Sequence, residues 1–173
     1  MLIQILFVFL FVVNLFLLWS SVKKGAVVSK NLGVLFFILI PLLTVFFPQP
    51  RFALDFFWWK VAGLAIVLIG LGLAFWAERV LRNGGVGLLD VEPNTLVDRG
   101  PYQLVRHPFY LGCVFIFVGW WWVWAAVYSF YFGLFILLAI WLLACFEENL
   151  ILKKRFGGKF MEYYSKTGMF WVK

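Results

Sequence analysis

The sequence predicts an all-α, polytopic integral membrane protein of about five transmembrane helices. Three observations carry that prediction. Hydrophobic residues make up 65% of the 173, against about 45–50% in globular chains, and the mean hydropathy is +0.98. The apolar residues gather in long runs, and the cations gather between them. The one histidine, an arginine and two tyrosines gather in Gly100–Gly112, where a polar loop meets an apolar run, with Glu147-Glu148 further along.

The runs justify the elements in order. Leu2–Trp19 has no basic leader and no small-residue cleavage site, so it reads as a retained helix rather than a signal peptide. Leu32–Phe47 is short and holds Pro41, which predicts a kinked span. Phe56–Ala77 is long enough for a full crossing. Asn83-Gly84-Gly85-Val86-Gly87 follows a helix, not a strand, so it reads as a helix stop rather than a dinucleotide loop. Pro108–Ala125 and Ala126–Phe146 have almost no linker and read as a tight helical hairpin, with Trp120-Trp121-Trp122-Val123-Trp124 as an interfacial anchor. The chain is thus one membrane domain: three spans in residues 1–77, a cytosolic loop in 78–107, the hairpin in 108–146 and a cytosolic tail in 147–173.

Charge sets the direction. Lys23, Lys24 and Lys30 follow the first span; Arg79, Arg82, Arg99 and Arg106 follow the third; Lys153, Lys154, Arg155, Lys159, Lys166 and Lys173 follow the fifth. Only Arg51 and Lys60 fall on the other side. The positive-inside rule then puts the C-terminus in the cytosol and the N-terminus outside, as suits a prokaryotic inner membrane. The net charge of +7 is explained by anionic headgroups, not nucleic acid, which needs a soluble basic face. Cys113 and Cys145 lie in apolar runs without ligand spacing, so no metal is expected. The lipid bilayer and a lipid-like or small apolar molecule are the expected partners.

The hairpin has a chemical consequence. Its two arms match in length, so His107, Pro108 and Tyr110 at one end lie level with Glu147 and Glu148 at the other. Pro108 suits a first helical turn. That turn aims free N–H groups at the loop, a cradle for an anion. An acid at the lipid border is rare and usually functional. The site therefore offers donors for a carboxylate and an acceptor for an ammonium or hydroxyl, which matches a zwitterionic ligand.

Four elements together resemble the isoprenylcysteine carboxyl methyltransferase family, with the wider group of phospholipid methyltransferases. They are Leu96-Val97 with Gly100-Pro101-Tyr102, Arg106-His107-Pro108 with Tyr110 and Gly112, Glu148 before Phe156-Gly157, and Tyr163-Tyr164. The resemblance implies an integral membrane methyltransferase that uses S-adenosylmethionine at the cytosolic face. Its cofactor contacts would be Asn94, Thr95, Leu96, Val97, Tyr102, His107, Pro108, Phe109, Tyr110 and Glu148. It assigns no catalytic residue.

Two departures from the family pattern shape the expected acceptor. The acidic pair is Glu147-Glu148 rather than a pair at 148 and 149, where Asn149 stands. Ala144 occupies the position of a substrate-side arginine. Without that arginine to neutralise an anion, a prenylcysteine carboxylate is disfavoured, and an amine, thiol or other lipid headgroup is favoured. Two other readings remain at this stage: a nicotinamide-dependent membrane lipid reductase, which would need a further basic phosphate pocket, and a non-catalytic adaptor of the same fold.

Overall fold

The computed structural model of the chain describes residues 5, 8, 9, 12, 13, 16, 39–53, 56–86 and 95–173. Among the described residues the secondary structure is helical, with two isolated bridges and no strand. Leu2–Trp19 is represented by residues 5, 8, 9, 12, 13 and 16, all helical. The remainder of that run lies outside the described residues, as do residues 32–38 of Leu32–Phe47; residues 39–43 are helical and Thr44–Phe46 form a 3-10 turn.

Helix α1 is Phe57–Asn83, α2 is Pro108–Trp124 and α3 is Val127–Phe146. A π-helical turn, Glu147–Leu152, joins α3 to the short α4, Lys153–Phe156, so the helix continues unbroken. Amphipathic α5 is Gly158–Lys166. Among the described residues, two helical segments are long and apolar enough to cross a membrane: α1, of 27 residues, and Val127–Phe156, of 30. Helix α2 is equally apolar with 17 residues, the lower limit for a crossing.

Helix α1 runs six residues beyond its apolar stretch, through Glu78, Arg79 and Arg82 to Asn83. Those polar residues are compatible with helix because Glu78 and Arg82 pair one turn apart, with Nε donating at 2.8 Å. The glycines then end it as expected: Gly84 N–H donates to Leu81 O at 2.8 Å and Gly85 N–H to Arg82 O at 3.1 Å.

The chain forms two compact units, residues 1–65 with 117–136 and residues 66–116 with 137–173. The first holds the tip of the hairpin. Only Ala125 and Ala126 separate α2 from α3, and Ala125 turns the chain with a φ of 48°. Phe52 N–H donates to Ala125 O at 2.8 Å and Val127 N–H to Pro50 O at 3.1 Å, which pins the turn. The Gln49 amide accepts the Ser129 N–H at 2.9 Å, capping the first turn of α3. Trp59 stacks on Trp122 at 4.1 Å and donates its Nε1–H to Trp122 O. Within the tryptophan run Trp122 is exposed, whereas Trp121 is buried and stacks on Phe117.

The second unit holds the polar chemistry. Within it α1 and α2 approach so closely that side chains are excluded. A Cβ on Gly70 would sit 2.7 Å from Gly112 O, and one on Gly112 would sit 2.8 Å from Ala74 N. Both obstacles are backbone and cannot swing aside. This contact sets where α2 begins, and therefore where His107 sits. Gly112→Leu is expected to separate the helices and cost about 1–3 kcal/mol or more, read as a lowered thermal midpoint in detergent. Leu111→Ala, at a half-buried neighbour, serves as the milder comparison.

Candidate functional site

The site is built around a buried arginine. Arg106 precedes α2 and is 7% exposed; Glu148, in the π-helical turn, is 4% exposed. Arg106 donates from Nε to Glu148 Oε1 at 2.7 Å and from NH2 to Oε2 at 3.2 Å. This forked pairing is the arrangement in which a guanidinium matches a carboxylate best. Its third arm, NH1, donates to the carbonyls of Thr167 and, at 3.3 Å, Tyr164. The guanidinium also lies 4.1 Å from the centre of the Tyr164 ring. Nearly every donor is engaged, as a buried charge requires.

The C-terminal segment closes on the same place. Arg106 N–H donates to Gly168 O at 2.8 Å and His107 N–H to Met169 O at 3.2 Å, one parallel bridge between Val105 and Gly168. Helix α5 delivers this segment. Gly157 makes the corner before α5 with φ 51° and ψ −120°, a conformation that suits only glycine. On α5, Phe160 is buried while Lys159, Glu162 and Lys166 face out.

His107 lies at the start of α2, where its carbonyl accepts the Leu111 N–H at 3.0 Å. Its ring is buried between two consecutive carboxylates. Nε2 is 3.0 Å from Glu148 Oε1, and Nδ1 is 3.8 Å from Glu147 Oε2. Tyr110 stacks parallel on the ring, centroids 5.4 Å apart, and donates its hydroxyl to Glu147 Oε2 at 3.0 Å. The sequence expectation that His107 and Glu148 are neighbours is met by direct contact. The structure commits Glu148 to Arg106 and His107, which leaves Glu147, with 35% of its side chain exposed, as the accessible acid.

The loop residues lie in the same unit, with Thr95 and Val97 against Gly84 at the end of α1. Thr95 donates its hydroxyl to Gly84 O at 3.0 Å, and Leu96 and Val97 are half-buried. Asn94 lies outside the described residues. Pro101, Tyr102 and Pro108 are buried; Phe109 and Tyr110 are half-buried. Tyr102 presents its carbonyl to the Tyr163 hydroxyl at 2.6 Å. Burial first, then the charge of Glu147, pushes the Tyr102 hydroxyl well above its ordinary pKa. Burial does the same to Tyr163, against the opposing pull of Arg106. Sequence reasoning did not reveal the Tyr110–Glu147 bond or the clamp by Thr167–Met169, which is made by backbone carbonyls.

A helical chain with two membrane-length segments and an internal Arg–Glu–His cluster belongs among membrane proteins with polar chemistry at their border. The phospholipid methyltransferase family model matches residues 58–159, which takes in α1 from its second residue, α2, α3 and both acids. The chain belongs to that family, and the family places it among the methyltransferases and in the membrane. Comparison with curated proteins and with solved structures gives no match.

The two buried tyrosines give a pH prediction. Unfolded tyrosines ionise near pH 10, whereas Tyr102 and Tyr163 resist ionisation in the fold. Above about pH 10 the unfolded chain gives up protons first, so stability present at lower pH is lost as pH rises. The expected result is a thermal midpoint that falls above that pH, with a shallower fall in Tyr163→Phe.

Proposed function

We propose that this chain transfers a methyl group from S-adenosylmethionine to a membrane-associated or apolar acceptor at the cytosolic face. What carries the reading is the convergence of a helix N-terminus, a buried imidazole and two carboxylates inside the region matched by the methyltransferase family.

The donor set fits the cofactor. Pro108 has no N–H, and the first-turn N–H groups of Phe109 and Tyr110 have no carbonyl one turn back within α2, so they are suited to a carboxylate. Arg106 and Glu148 pair as a buried guanidinium and carboxylate. S-adenosylmethionine carries an ammonium, a carboxylate and a sulfonium, and its carboxylate suits the free N–H groups of that helix start. The residues that would hold it are Asn94, Thr95, Leu96, Val97, Tyr102, His107, Pro108, Phe109, Tyr110 and Glu148. When bound, the cofactor supplies an electrophilic methyl group on sulfur.

The chain's own contribution is positioning. Arg106 fixes Glu148, and Glu148 fixes the ring of His107. The half-buried Phe109 and Tyr110 offer aromatic faces to a cation. The C-terminal segment over Arg106 and His107 keeps water from the cluster. The reaction needs alignment of acceptor, methyl and sulfur more than acid catalysis, because the sulfur leaves neutral.

In this reading the first two runs are also spans, which makes five crossings with the N-terminus outside and the C-terminus in the cytosol of a prokaryotic inner membrane. Exposed Lys153, Lys154 and Arg155 follow directly on the last span, as that orientation requires. The buried Ala144 supports an acceptor other than a prenylcysteine carboxylate.

Calorimetry on the purified protein in lipid nanodiscs tests the reading. S-adenosylmethionine is expected to bind, a nicotinamide dinucleotide is not, and His107→Ala is expected to weaken binding by about tenfold or more, roughly 1.4 kcal/mol. Glu148→Ala is expected to do the same while the protein still inserts. Wild-type affinity in both variants would refute the site; binding of the nicotinamide cofactor instead would favour a reductase.

A further inference from the structure

Methyl transfer to a nucleophile that carries hydrogen releases a proton, which needs an acceptor. Resting on the proposed methyl transfer, we propose that Glu147 Oε2 and His107 Nδ1 form a catalytic proton acceptor, and that the acceptor substrate is therefore one that arrives with hydrogen on its nucleophilic atom.

The tautomer of His107 follows from its neighbours. Glu148 is held through both oxygens by Arg106, so it is ionised and only accepts. Its 3.0 Å contact with His107 Nε2 is then a bond in which Nε2–H donates. A neutral ring with its proton on Nε2 has a bare lone pair on Nδ1. That lone pair faces Glu147 Oε2 at 3.8 Å. The distance is too long for a hydrogen bond, and both atoms are acceptors. With the ring neutral, the gap lacks one proton.

The surroundings point the gap at substrate. On the Nε2 side the ring meets Glu148 and, behind it, Arg106; on the Nδ1 side it meets Glu147 and Tyr110. The C-terminal segment adds the uncharged ring of Phe170 at 6.1 Å. Tyr110, stacked within 9° of parallel, holds the imidazole plane and donates to Glu147 Oε2. His107 and Glu148 have 5% side-chain exposure, whereas Glu147 has 35%. A proton enters and leaves this cluster through Glu147.

The step balances. The X–H bond of the acceptor breaks, its electron pair stays on X, and the proton passes to Glu147 Oε2, which faces His107 Nδ1. X then bonds to the methyl carbon as the carbon–sulfur bond breaks with its pair on sulfur. The proton afterwards leaves to water from Glu147. An ammonium, thiol or hydroxyl headgroup needs this base; a carboxylate, already ionised, does not.

His107 is the chain's one histidine, so 15N-histidine labelling gives a single imidazole. In phosphatidylcholine nanodiscs at pH 7, the nitrogen shifts are expected to show Nε2 protonated and Nδ1 bare. A ring protonated on Nδ1, alone or on both nitrogens, would overturn the assignment. Radiolabelled S-adenosylmethionine is then given with vesicles holding phosphatidylethanolamine, a thiol-headed lipid, diacylglycerol or oleate. Label is expected on at least one of the first three and not on oleate. Glu147→Gln is expected to lose transfer about a hundredfold or more while holding cofactor affinity within tenfold by calorimetry. Label on oleate, no label from a protein that binds the cofactor, or full transfer by Glu147→Gln would each overturn the proposal. A wild-type protein that binds no S-adenosylmethionine would instead defeat the underlying reading, whatever the tautomer.

Discussion

Everything at the site depends on one buried ion pair, Arg106 with Glu148. Taking two charges out of water is costly, and the attraction between them repays it only with good geometry and full satisfaction of the remaining donors. Here the guanidinium forks onto the carboxylate, its third arm reaches two carbonyls, and an aromatic ring covers its face. The pair joins segments far apart in sequence: the entry to α2, the helix after α3, and the residues following α5. Such a cluster contributes modest net stability for its cost, but it fixes one arrangement of the three.

That arrangement makes chemistry available. With Arg106 consuming the charge of Glu148, the imidazole is oriented by a neighbour that only accepts. The adjacent Glu147 is left with one hydroxyl partner and partial exposure. The π-helical turn brings both acids to opposite nitrogens of a single ring. Wider turns of this kind occur often at functional sites. An acid, an imidazole and a helix start thus share one water-poor place at the end of apolar helices, where electrostatic interactions are stronger than in water.

Much of this was legible in the sequence, and the reasons are physical. Hydropathy and the absence of a linker gave the hairpin, and equal arms then made His107 and Glu148 neighbours. Pro108 marked the start of α2 and Gly84-Gly85 the end of α1. The clamp by Thr167–Met169 was not legible, because it is made by backbone carbonyls that leave no side-chain signature. The division of labour between Glu147 and Glu148 was not legible either. Two adjacent acids look alike until Arg106 chooses one. The polar extension of α1 was hidden because composition marks where apolar residues stop, not where the helix does. Asn94 and much of the first two runs lie outside the described residues, so those readings rest on sequence.

The central claim is that Arg106 and Glu148 act as one unit, and a double-mutant cycle measures it most directly. Unfolding free energies would be compared for wild type, Arg106→Met, Glu148→Leu and the double variant in the same detergent. Each single change should cost about 3–5 kcal/mol, because it strands a buried charge. The double variant should be less destabilised than the sum of the two by more than about 1 kcal/mol. Two small costs that simply add would contradict the account, since they would mean that the two groups sit in water and ignore each other.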